Sequence, residues 1–234
     1  MSTKLLEWSE DQEEDKNKVH IHRSGHVRSV ILNERFYVFQ NLTPASKSPL
    51  KIVDPSIRMM FDVNIYGLSA ENKPARSRIN YSIAAERHKI YLYGGFDVEK
   101  NEIVDTVETF DASTYQFREV KHRGDFKPPG RQGHAAITID KYTMIVIGGT
   151  KDVTTLIDPK PLPESESMIV YDFEASTWSN RSKDYSASSE PAPWNLINAS
   201  LFKLDSQNIG VLWYDVVTGG DLESASSRRV LQTS

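Results

Sequence analysis

A two-part pattern recurs three times along the 234 residues and constrains the fold more than any other feature. Its fullest copy begins at PGRQGHAAITIDKYTMIVIGG, residues 129–149. Two apolar runs, 134–139 and 142–147, flank the pair Asp140-Lys141 and end on Gly148-Gly149, as two antiparallel strands and a tight turn would. Residues 168–172 then predict a third strand, and 176–180, around Trp178, a fourth.

Arg131 and His134 precede Gly148 by 17 and 14 residues, and Arg23 and His26 precede Gln40 by the same intervals. Between them, SRINYSIAAERHKIYLYGGF places Gly94-Gly95 in the glycine slot and Asn80 in the histidine slot. A second signature follows each glycine slot: an aromatic residue, Asp, and a bulky residue six further on. It reads Phe61-Asp62 with Leu68, Phe110-Asp111 with Phe117, and Tyr171-Asp172 with Trp178. Two signatures in fixed order, three times over, predict a repeat of about 50 residues built from four-stranded units.

These residues resemble the kelch repeat, whose pattern runs Arg-x-x-His, a strand ending in Gly-Gly, then Tyr-Asp, then Trp. The third unit carries every element, in Arg131, His134, Gly148, Gly149, Tyr171, Asp172 and Trp178. The second keeps Gly94 and Gly95 and has Phe110 and Phe117 for Tyr and Trp, while the first has Gln40-Asn41 for the diglycine. The resemblance covers residues 23–180 well and 190–234 poorly. It implies an all-β, kelch-type β-propeller of four-stranded blades, with blade 1 at 23–73, blade 2 at 74–127, blade 3 at 128–190 and a degenerate blade 4 at 191–234. That is about 3.75 blades. Either a short strand at Val19–His22 completes the fourth blade and closes a small ring, or the blades form an open arc, a fragment of a longer protein or a piece that a second chain completes. The arc is favoured, because four blades make a narrow ring.

Composition narrows the function classes. Six acidic residues among the first 17 predict an acidic disordered tail, residues 1–17, and argue against a signal peptide. The chain has no cysteine, which removes disulfides, thiolate nucleophiles and Cys-based metal sites, and fits a cytoplasmic or nuclear protein. A net charge of −4 opposes nucleic-acid binding, since phosphate neutralisation needs a basic surface. No apolar run reaches the 18 or more residues of a membrane span. The sequons at Asn41, Asn80, Asn180 and Asn198 read as chance in a chain outside the secretory pathway.

No enzyme pattern emerges and no cofactor or metal is implied. His20 and His22 share a strand face, but the six histidines do not form a ligand set. The copper oxidases built on kelch blades need a cysteine cross-linked to tyrosine, which this chain lacks. Arg23, His26, Arg131 and His134 read as structural residues that begin the innermost strands and satisfy backbone carbonyls of adjacent blades. Gly94, Gly95, Gly148 and Gly149 end strands where a β-carbon is excluded, and Phe117 and Trp178 read as packing between blades.

One basic run, from Arg118 to Arg131, joins the second and third units, and Lys121, His122, Arg123 and Lys127 within it are the candidate contacts for an acidic protein partner. The tripeptide Arg123-Gly124-Asp125 reads as a turn before Pro128-Pro129. Alternating strand directions place this run on the same side as the proline-rich loop 150–167. The expected function is a non-catalytic interaction module, scaffold or adaptor. The alternatives are a structural subunit of a large assembly, and a small-molecule enzyme with a site in the central funnel.

Overall fold

The computed structural model describes residues 27–40, 42, 50–63, 77–153, 160–183, 196–205, 208–214 and 226–232. They form an all-β protein of successive antiparallel sheets. The first sheet is β1 (Arg28–Leu32), β2 (Arg35–Phe39), β3 (Leu50–Asp54) and β4 (Met59–Val63), in sequence order. The second is β5 (Ser82–Glu86), β6 (Lys89–Tyr93), β9 (Val107–Asp111) and β10 (Gln116–Val120), with the small ladder β7 (Phe96–Asp97) and β8 (Glu102–Ile103) inserted between β6 and β9. The third is β11 (Ala135–Thr138), β12 (Thr143–Ile147), β13 (Met168–Asp172) and β14 (Thr177–Asn180). The fourth has three strands, β15 (Ser200–Lys203), β16 (Asn208–Tyr214) and β17 (Ser226–Gln232). None of these sheets closes on itself.

Alternation along the strands gives each interior sheet two apolar faces, and the core lies between sheets. Tyr37, Phe39, Leu50 and Ile52 of the first sheet pack against Ile90, Leu92, Phe110 and Phe117 of the second. Tyr91, Tyr93 and Val107 on the opposite face of the second meet Met144, Val146, Tyr171 and Trp178 of the third. Ile145 and Ile147 of the third then meet Ile209 and Val211 of the fourth. The first strands of the sheets, β1, β5, β11 and β15, run beside one another in that order. Backbone bonds stitch their starts together, with Gly133 N–H donating to Asn80 O at 2.9 Å and Asn198 N–H to Gly133 O at 2.6 Å.

That stitching corrects the repeat register. Asn80 (φ 54°), Gly133 (φ 65°) and Asn198 (φ 56°) hold the same left-handed position, so the residue matching His134 is Tyr81 and the residue matching Arg131 is Arg78. The one-residue offset arises in the hairpins. Glu86 pairs with Lys89 across a two-residue turn, whereas Ile139 N–H donates to Thr143 O at 3.0 Å across the three residues Asp140, Lys141 and Tyr142. Counting back from the glycines therefore overshoots by one in the second unit.

The first unit differs from expectation in its outer half. Its third strand, β3, precedes the Phe61-Asp62 pair, and the residue paired like Phe110 and Tyr171 is Val53. The signature aspartate is accordingly Asp54, while Phe61 and Asp62 lie in β4. The three equivalent aspartates cap the same turn. Asp54 Oδ1 accepts Ser56 N–H at 3.1 Å, Asp111 Oδ1 accepts Ser113 N–H at 2.9 Å and Asp172 Oδ1 accepts Ala175 N–H at 2.7 Å. Each turn ends in a left-handed residue, at Arg58, Tyr115 and Ser176. Val19–His22, Leu68, Arg23 and His26 lie outside the described residues.

The segment between β12 and β13 makes a bridge within itself in spite of its prolines. Thr150 pairs opposite Pro161 through the N–H of Leu162, which donates to Gly149 O at 3.0 Å, so no proline N–H is needed.

Candidate functional site

The most polar buried constellation lies where β5 and β11 begin. Arg78 and Arg131 are fully buried. Each extends a guanidinium to the first glycine of its own unit, Arg78 Nη1 to Gly94 O and Arg131 Nη1 to Gly148 O, both at 3.1 Å. Arg78 Nη2 also meets Glu108 Oε2 of β9 at 2.5 Å, whereas Arg131 Nη2 donates to the backbone carbonyl of Glu166 at 3.0 Å. The arginines thus tie the segment entering each sheet to the loop leaving its second strand.

His134 acts between sheets. Its Nε2 lies 2.7 Å from Ser82 Oγ, and its ring stands edge-on to Tyr93 with centroids 5.2 Å apart. Burial pushes the imidazole well below its ordinary pKa of 6.5, with the nearby Arg131, Arg28 and Arg78 adding to the effect, so the ring is neutral. Gly94 makes room for it. A β-carbon there would meet Arg131 O and the His134 ring, and φ of +65° disfavours any side chain. Tyr81, in the equivalent slot, reaches the preceding unit through its hydroxyl, which donates to Gln40 O at 2.8 Å.

A Ser–His pair at 2.7 Å has the spacing of a nucleophile and its base. Ser82 and His134 are only 4% and 2% exposed, however, and sit between packed strands where a substrate has no access. Among the described residues, no group of three or more His, Asp or Glu is placed to hold a metal ion. No helix among them is long and apolar enough to cross a membrane.

The aromatic repeat residues also face neighbouring sheets, whereas the second glycines pack within their own units. Trp178 packs 4.6 Å from Tyr93, and Phe117 stands edge-on to Phe39 at 6.4 Å. Gly149 (φ +94°) lies against Gln132 O and His134 Cβ, and Gly95 (φ +98°) against Ile79 O and Tyr81. Sequence reading missed Arg78, Tyr81, Ser82 and Glu108. The one-residue hairpin difference concealed the first two, and nothing local marks the others as partners.

The basic run is exposed at Lys121, His122, Arg123 and Lys127, but it is not gathered into one patch. Arg123 N–H donates to Ser176 O at 2.7 Å and Arg123 bridges Thr177, beside the turn that starts β14. That turn lies at the opposite end of the third sheet from Gly148. Lys127, further along, pairs with Asp105 at 2.6 Å, near the Gly94 end of the second sheet. The run therefore crosses the seam between the second and third sheets and does not emerge at one end, because its early backbone is captured by β14. At the Ser176 end of that seam, an open groove of about 350 Å³ lies between the hairpin turns of the two sheets, lined by Glu86, Arg87, Thr138, Asp140, Lys141 and Lys203. Arg87 pairs with Glu86 at 3.0 Å, and Lys203 Nζ donates to Ile139 O at 2.5 Å.

Comparison of the chain with protein-family models and with curated proteins gave no match.

Proposed function

We propose that the chain is a kelch-type β-propeller, or an arc of one, that works as a non-catalytic protein-interaction module in the cytoplasm or nucleus. The observation that carries this reading is where the buried polar side chains are directed. Arg78, Arg131, His134 and Ser82 bond within and between sheets, so the repeat residues build a rigid scaffold and leave recognition to the surface segments it displays. The exposed cations along the seam, Lys121, Arg123 and Lys127, suit an acidic partner surface. Charge there speeds encounter and selects against basic partners more than it deepens affinity.

Capture of partners from native extract at increasing salt tests the reading. The wild-type chain retains a defined set of proteins that is lost steadily as salt screens the seam, and the triple variant Lys121→Glu, Arg123→Glu, Lys127→Glu retains less and responds weakly to salt. Equal capture and equal salt response by the folded triple variant would remove the seam from the interface.

A further inference from the structure

The second and third sheets bury the same arginine in two different electrical settings. Arg78 and Arg131 enter their sheets at matching positions, both fully buried, and each directs Nη1 to the carbonyl of the first glycine of its unit. Arg78 then meets a carboxylate, Glu108 Oε2 at 2.5 Å. The strand registers identify the residue that stands there in the third sheet. Leu92 pairs with Glu108 and Val146 with Ile169, so Ile169, itself fully buried, takes the place of the glutamate.

Among the described residues, no other carboxylate takes over that role for Arg131. Its Nη2 reaches only the backbone carbonyl of Glu166, while the Glu166 carboxylate is held by Lys151 at 2.6 Å. Asp105, whose charge is felt at the neighbouring Tyr93, is held by Lys127 at 2.6 Å. The Tyr93 phenol is pushed up by burial and stays neutral, and the His134 ring is neutral as well. One donor is also left over, because Arg131 Nε is buried and bonds no group among the described residues. A guanidinium keeps its charge at every physiological pH. The third sheet therefore buries a positive charge and an unused donor where the second buries an ion pair, and a buried charge left without its counter-charge is strongly destabilising.

We propose that Arg131 holds a small inorganic anion of the halide class, with Nε as one donor, in the role that Glu108 fills for Arg78. One negative charge is what the change from glutamate to Ile169 removes. A monatomic ion suits a side chain with no exposed surface, whereas a carboxylate or phosphate carried by a larger molecule needs an opening to reach it.

Anomalous diffraction from crystals of the full chain in sodium bromide tests this. The wild type is expected to show a bromide peak within hydrogen-bond distance of Arg131 Nε. In solution, at constant pH and ionic strength, replacing gluconate by chloride is expected to raise the wild-type melting temperature along a saturating curve. Ile169→Glu supplies an internal carboxylate and is expected to lose both the peak and the chloride response; should it misfold, Arg131→Met, which removes the charge, makes the same test. A wild-type site that holds only water, or a melting temperature that does not distinguish chloride from gluconate, overturns the proposal. So does a folded variant that keeps the full chloride response. None of these outcomes depends on what the basic seam binds.

Discussion

The imidazole Nε2 of His134 and the hydroxyl of Ser82 are 2.7 Å apart across the junction of the second and third sheets, and both side chains are buried. The bond joins the first residue of β5 to the residue just before β11. It fastens two sheets at the edge where their first strands meet, and it holds a titratable ring neutral in a site with three arginines nearby.

Stability should therefore depend on pH through His134. Its folded pKa lies well below 6.5, so between about pH 6.5 and that lower value the unfolded chain carries a proton that the folded chain does not. Stability is complete above the unfolded pKa and falls as pH drops, by about 1.4 kcal/mol per unit for one such group. Asp54 and Asp111, whose pKa values lie below 3.8, respond only at lower pH. Urea unfolding of wild type and His134→Gln between pH 7 and pH 5 should show a shallower slope in the variant; equal slopes would mean the ring is not held neutral.

The buried ion pair of Arg78 and Glu108 gives a second expectation. Glu108→Ala leaves the Arg78 guanidinium buried without its carboxylate, which costs about 3–5 kcal/mol. Glu108→Gln keeps an acceptor and should cost less. An alanine variant as stable as wild type in urea would show that the pair is not load-sharing between the entry segment and β9.

Trp178→Ala should lower stability by about 3–5 kcal/mol, because the indole fills the contact between Tyr93 of one sheet and Tyr171 of its own. An unchanged melting temperature would contradict packing between sheets.

Two glycines with the same backbone hand separate conformation from crowding. Gly124 has φ +81°, and a β-carbon there comes no closer than 3.6 Å to Thr177, so Gly124→Ala should cost about 1–2 kcal/mol, as for any left-handed residue. Gly94→Ala meets the Arg131 carbonyl and the His134 ring as well, and should cost clearly more. Equal midpoint shifts in urea would show that the glycine slot is set by φ alone.

The legible parts of the sequence were those that local chemistry marks. The runs ending in Gly94-Gly95 and Gly148-Gly149 announced β6 and β12, and Tyr171-Asp172 with Trp178 announced the outer hairpin of the third sheet. The first unit was misread because Val53 does the work of an aromatic residue before Asp54, while Phe61-Asp62 imitates the motif eight residues later. Arg78 was hidden by a hairpin one residue shorter than its counterpart. The course of the basic run followed from a bond between Arg123 and Ser176, 53 residues apart, which no local pattern encodes.

The proposed division of labour, in which buried repeat residues join sheets and exposed seam residues would meet a partner, is tested most directly by quantitative mass spectrometry of proteins captured from native extract, normalised to folded bait. His134→Gln should unfold at lower urea yet capture the wild-type set while folded, and the triple variant Lys121→Glu, Arg123→Glu, Lys127→Glu should unfold with wild-type stability yet lose that set. Loss of capture by folded His134→Gln together with full capture by the triple variant would contradict the account.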